Sequence, residues 1–287
     1  MLIYIKKIIQ LKRVVKGYLF KWSCDYFGFG KVNIVTITDR TPQLIVSLTS
    51  YGRRVADIVP YTLVSLLKQT VMPDRIILWL DKESWNDENI PKKLQQLIKY
   101  GIEIRFCKDI RSYTKLVPTL TLYPEDVIVT VDDDVIYKRD VVENLYSSYL
   151  KDSSKIYCNH ARFPAKDKFG EFRPYQEWGI SRDSKSYIMP LGVGGVLYPP
   201  HSLHPDTIKE DIFTELCPIA DDLWFWIMAI RNNFSHKVIR NNENIGDSFD
   251  DLYQFFHKRS ALTHSNRKEN KNDIQLSTII RYYALCL

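Results

Sequence analysis

Three consecutive aspartates, Asp132, Asp133 and Asp134, close an apolar run that starts at Asp126 and reads Val-Ile-Val-Thr-Val. Val127, Ile128, Val129 and Val131 are β-branched, so the run predicts a buried strand with the carboxylates where it leaves its sheet. Adjacent ionised carboxylates repel one another and avoid burial unless they are paired or bind a metal. The chemistry they invite is that of a hard cation. Mg²⁺ or Mn²⁺, which take oxygen ligands, would carry a phosphorylated substrate there.

A second acidic pair, Asp221 and Asp222, opens a helical pattern over 219–232 whose apolar body includes Leu223, Trp224, Trp226, Ile227 and Ile230. Carboxylates at a helix start serve capping and the helix dipole alone in many proteins. The chemical alternative is a general base that removes a proton from a hydroxyl. Further candidates stand at other predicted strand ends: Thr49, Tyr51 and Arg53, then Asp81. A tyrosine can stack on a base and an arginine can pair with phosphate. Lys115, ahead of the aspartate strand, is within reach of a ribose or diphosphate, or else is a solvated lysine.

These residues need a scaffold, and the chain alternates strand and helix. Gln43–Thr49, Arg75–Leu80, Ile102–Phe106 and Asp126–Val131 read as strands; Ala56–Gln69 and Pro91–Tyr100 read as helices, Gly101 ending the second. A further helix runs from Tyr137 to about Leu150, and Lys155–Asn159 reads as another strand. Such alternation indicates α/β architecture with a mostly parallel sheet covered by helices, and ligands in such sheets bind outside the carboxyl ends of the strands. The stretch His160–Met189 is long and weakly periodic, which suits a functional loop. Pro190–Tyr198 is apolar and glycine-rich; Gly192, Gly194 and Gly195 suit a strand whose backbone something approaches closely, or a bulge. Trp178, in the preceding loop, is a candidate for stacking on a ligand ring or a packing anchor.

Composition bounds the setting. The 287 residues are 45% hydrophobic, enough for one large or two small domains with a core. Five scattered cysteines without a CxxC pair fit reduced thiols in a cytoplasmic protein. Lys6, Lys7, Lys12, Arg13, Lys16 and Lys21 stand among residues 1–24 with no acid, and without them the net charge of +6 falls to zero. That concentration argues against a nucleic-acid protein. No uncharged stretch there is long enough to cross a membrane, so the segment reads as an amphipathic helix, lying on an anionic membrane surface or packed on the domain.

The ordered set Ser47-Leu-Thr-Ser-Tyr-Gly-Arg-Arg54, Asp81, Asp132-Asp-Asp134, Gly192-Val-Gly-Gly195 and Asp221-Asp222 resembles the GT-A glycosyltransferases. More narrowly it is similar to bacterial family-2-type enzymes that build capsule or O-antigen polysaccharide. The resemblance covers roughly residues 43–265. It implies a Rossmann-like GT-A domain over 31–265, with residues 1–30 a basic N-terminal segment and 266–287 a tail helix. It also implies transfer from a nucleotide sugar, most simply a UDP-sugar, to a saccharide or lipid-linked saccharide, inverting in preference to retaining. The setting would be cytoplasmic, on the inner face of the cell membrane if residues 1–24 bind lipid.

By the same resemblance Thr49, Tyr51 and Arg53 contact the nucleotide and Asp81 reads the base through uracil N3. Asp132 faces the ribose and Asp134 the Mn²⁺ or Mg²⁺, with Asp133 between them and the register open. Asp221 or Asp222 is the base, Asp222 preferred; the family often has Glu-Asp there. A histidine completes the metal shell, His264 or its rival His257. Gly194, Gly195 and Trp178 would face the sugar or acceptor. Two other readings compete: a non-catalytic module that binds saccharide or nucleotide, and a haloacid-dehalogenase-type phosphatase, which fits poorly because Lys115 precedes the aspartates.

Overall fold

The computed structural model describes residues 2–179, 187–239, 245–248 and 270–287. Its frame is a seven-stranded sheet built from β1 (Leu44–Thr49), β2 (Arg75–Asp81), β3 (Ile102–Cys107), β4 (Val127–Thr130), β6 (Lys155–Cys158), β9 (Val196–Tyr198) and β10 (Ser235–Val238). The spatial order is β10-β6-β9-β4-β1-β2-β3, and only β9 runs antiparallel to its neighbours. This is the expected α/β architecture. Two short pairs lie outside it, β5 (Val135–Tyr137) with β11 (Gly246–Ser248) and β7 (Ala161–Arg162) with β8 (Met189–Pro190).

Period-two alternation divides the side chains of the strands between two cores. Val127 and Val129 of β4 join Leu44, Val46 and Leu48 in one, against helices α3 (Val59–Leu66), α4 (Lys92–Ile98) and α6 (Val141–Lys151). Ile128 joins Ile156, Cys158 and Val196 in the other, against α7 (Glu210–Leu216), α8 (Asp221–Arg231) and the tail helix α9 (Lys271–Tyr282). Strands covered on both faces read as unbroken apolar runs, which is why β1, β2 and β4 are visible in the sequence.

Two expected elements are interrupted. The helix anticipated over Ala56–Gln69 is split into α2 (Arg54–Asp57) and α3, with Ile58 outside helical geometry. Pro60 is the cause: its ring and missing N–H suit the first turn of α3 and not the interior of a longer helix. Likewise Pro190–Tyr198 is not one strand. A 3₁₀ turn, Gly192–Gly194, separates β8 from β9, and Gly195 takes a left-handed φ of 81°. At the N-terminus α1 (Leu2–Phe27) is a continuous helix whose Val14 and Cys24 are buried. Among the described residues no helix is long and apolar enough to cross a membrane.

Candidate active site

The chain leaves β4 through the three aspartates and returns as β5, so the carboxylates stand at the carboxyl edge of the sheet. Asp133 is the buried member, only 5% exposed. The Ser50 hydroxyl donates to it, Arg54 Nη1 lies 2.8 Å from its Oδ1, and the Thr62 hydroxyl donates to its main-chain carbonyl at 2.8 Å. Burial pushes the Asp133 carboxyl up, against the opposing pull of Arg54 and Ser50. Arg54 also reaches Asp134, with Nη2 2.7 Å from Oδ2, so one guanidinium spans two carboxylates. The Asp132 N–H donates to the Tyr137 hydroxyl at 2.9 Å, which in turn donates to the Val193 carbonyl at 3.4 Å.

Lys115 ends a 3₁₀ turn, Arg111–Lys115, and is buried between the two acidic groups. Its Nζ lies 3.0 Å from Asp221 Oδ2 and 3.4 Å from Asp132 Oδ1. Burial works against its charge, but Asp221, Asp132 and Asp222 outweigh that and hold its pKa well above the ordinary lysine value. The two acids at the start of α8 thereby separate in role. Asp221 is Lys115's partner, whereas Asp222 accepts the Gly192 N–H at 3.1 and 3.3 Å. Loss of water, and then the neighbouring Asp221 charge, push the Asp222 carboxyl up to about 7.

Between these walls lies a cleft of about 830 Å³. Thr49, Tyr51, Asp81, Lys115, Asp132, Asp133, Asp134, Asp221 and Asp222 all line it, so most residues singled out from sequence converge. Tyr51 is 60% exposed, with the Arg54 guanidinium 5.7 Å from its ring centroid. Asp81 caps its own turn, accepting from the Ser84 hydroxyl at 2.7 Å and the Glu83 N–H at 3.1 Å, which lowers its pKa. Each oxygen of Asp81 keeps a lone pair for a further donor. Arg53 is a correction. It holds the N-cap position of α2 without a side-chain capping bond and is exposed outside the cleft, while Arg54, the first helical residue, supplies the guanidinium. The turn at Gly52, with φ of 56°, sets that phase.

The glycines and the tryptophan divide between the two readings that their sequence leaves open. Gly194 and Gly195 do not line the cleft. What approaches Gly194 is the protein itself: a Cβ there would sit 2.7 Å from the His160 backbone N. Gly192 is the one at the site, where a Cβ would stand 2.6 Å from Lys115 Nζ and 3.2 Å from Asp222 Oδ1. Gly194→Ala is therefore expected to lower stability by about 1–3 kcal/mol, as overpacking does. Gly192→Ala should displace Lys115 and cut activity more than stability; thermal melts beside turnover assays separate the two. Trp178 is 2% exposed, packed with Tyr175 and Trp226 and donating its indole N–H to the Arg173 carbonyl at 2.8 Å. It is a packing anchor, and Tyr175 is the aromatic from that loop that lines the cleft. His257 and His264 lie outside the described residues.

The lining bears on the expected Mn²⁺ or Mg²⁺. Among its described residues are seven aspartates and four cations, Arg54, Arg111, Lys115 and Arg162. An acid-rich cleft with oxygen donors fits a hard divalent ion by charge and ligand type. In their present contacts Asp133 and Asp134 turn toward Arg54 and Asp132 and Asp221 toward Lys115, and no three His, Cys, Asp or Glu side chains among the described residues form a metal nest.

No protein-family model and no curated protein matches the chain. Among solved structures, CMP:2-keto-3-deoxy-manno-octonic acid synthetase complexed with CTP aligns with a TM-score of 0.45 at 11% identity, over 74% of this chain and 96% of that one. The α/β fold is shown by the strand order and directions given above.

Proposed function

We propose that this chain is a glycosyltransferase that moves a sugar from a nucleotide-sugar donor, a UDP-sugar, to a hydroxyl of a saccharide or lipid-linked saccharide. The observation that carries the reading is the facing of two walls across one cleft: Asp132–Asp134 at the end of β4, and Asp222 at the start of α8. Tyr51 stacks on the base and Asp81 accepts from it, while Lys115 meets the ribose or diphosphate. Asp134 with Asp132 would hold a divalent ion, whose chemistry is to neutralise the departing diphosphate. Asp222 takes the proton of the acceptor hydroxyl. The hydroxyl oxygen then bonds to the anomeric carbon as the bond to the diphosphate oxygen breaks, and nucleoside diphosphate leaves.

Thermal melts with UDP-, GDP- and CMP-sugars, with and without Mn²⁺, test this on the full chain and on Asp134→Ala. A ligand at 100 times its Kd stabilises by about 2.7 kcal/mol. The expected result is a Mn²⁺-dependent shift with UDP-sugar alone, lost in Asp134→Ala without unfolding. Full turnover by that variant in chelator would refute the ion assignment. Phosphate release from sugar phosphates with no acceptor would refute glycosyl transfer.

A further inference from the structure

Among the described side chains of helix α1, residues 11–27, there are two apolar faces, and the described residues of the domain cover one of them. Val14, Gly17 and Cys24 are buried against the domain. On that side Lys21 and Asp25 bind the Tyr61 hydroxyl of α3, and Lys93 of α4 closes the group. The other face carries Leu11, Val15, Tyr18, Leu19, Trp22 and Tyr26, all of them exposed. Their spacing of four, three, one, three and four places them within an arc of about 100° on a helical wheel. A face of that width built from large apolar and aromatic side chains is what a helix presents to a hydrophobic partner.

The chemistry of the face selects the partner. Trp22 is 51% and Tyr26 72% exposed, and the two rings lie 5.0 Å apart. Tryptophan and tyrosine, with an apolar ring and a polar edge, favour the headgroup level of a bilayer. Lys12 and Lys16 are exposed and flank the arc. The whole surplus charge of the chain, +6, resides in residues 1–24, which hold no acid. A second copy of the same helix would bring these cations face to face, whereas an anionic lipid surface complements them. We propose that α1 lies in the plane of an anionic membrane surface, with the Leu11–Tyr26 face in the boundary between headgroups and acyl chains and Lys12 and Lys16 among the headgroups. The inference stands apart from the proposed reaction.

The test is flotation of the full chain with phosphatidylglycerol-containing vesicles and with neutral phosphatidylcholine vesicles, at low and high salt. The expected result is binding to anionic vesicles only, weakened by salt. Each lysine beside such a surface is worth roughly a factor of five, so Lys12→Gln with Lys16→Gln should reduce partitioning roughly 25-fold. Leu19→Gln with Trp22→Gln should abolish it. Because all four positions are exposed, the thermal midpoints of both variants should match the parent. Equal flotation of parent and variants would overturn the proposal, as would absence of binding to anionic vesicles. A concentration-dependent dimer in lipid-free buffer, lost in the Leu19/Trp22 variant, would assign the face to a second copy and also overturn it.

Discussion

Asp222→Asn is expected, on the proposed reaction, to lower sugar transfer by about 10²–10⁴-fold, the usual contribution of a positioned general base, with donor binding retained. The asparagine oxygen can still accept the Gly192 N–H, so the turn that shapes the wall should persist. The wild-type protein supplies its own control. Its Asp222 carboxyl is pushed to about 7, so kcat/KM should climb as pH rises through that value, and the variant should lack this limb. Stability moves the other way. A carboxyl whose folded pKa exceeds the ordinary 3.8 contributes stability that is present below 3.8 and is lost as pH rises to about 7. At pH 8 the asparagine variant should therefore melt no lower than the wild type. A dead variant that also melts early would remove Asp222 from the base role.

The second large effect belongs to Lys115→Met, which should both unfold more readily and fail in turnover. Methionine fills similar space but leaves Asp221 and Asp132 without the ammonium that lies between them. Removing one member of a buried ion pair costs about 3–5 kcal/mol, a large part of the stability of most domains. Urea melts of the wild type and the variant read this deficit directly. Unchanged stability at neutral pH would mean that Lys115 is a bystander.

Much of this site can be read from sequence because its parts stand at the ends of strands that announce themselves. Leu44–Leu48 and Ile76–Leu80 are buried on both faces, and the polar residues after them must emerge at one edge. What could not be read depends on a turn's phase or on packing between distant segments. The choice of Arg54 over Arg53 follows from where Gly52 lets α2 begin. Gly194 serves the His160 backbone, thirty-four residues earlier in the chain, and no local pattern signals that contact. Trp178 disappears into an aromatic cluster that includes Trp226 of α8. Lys115 looks like any surface lysine until its 3₁₀ turn brings it between Asp132 and Asp221.

The division of the strands between two cores has a consequence for how such a protein diversifies. Arg54 and Thr62, which hold the aspartate wall, belong to the layer of α2 and α3, while Asp222 belongs to the layer of α8 on the opposite side of the sheet. Substitutions in separate packing layers act nearly independently wherever they share no partner, and the two walls are joined at Lys115, between Asp132 and Asp221. Away from Lys115, the layer of α7, α8 and α9 can therefore accumulate changes at a stability cost confined to itself. Lineages of this fold would be free to vary the α8 wall of the cleft while the aspartate wall stays fixed, and the same seam offers a place to recombine the two layers by design.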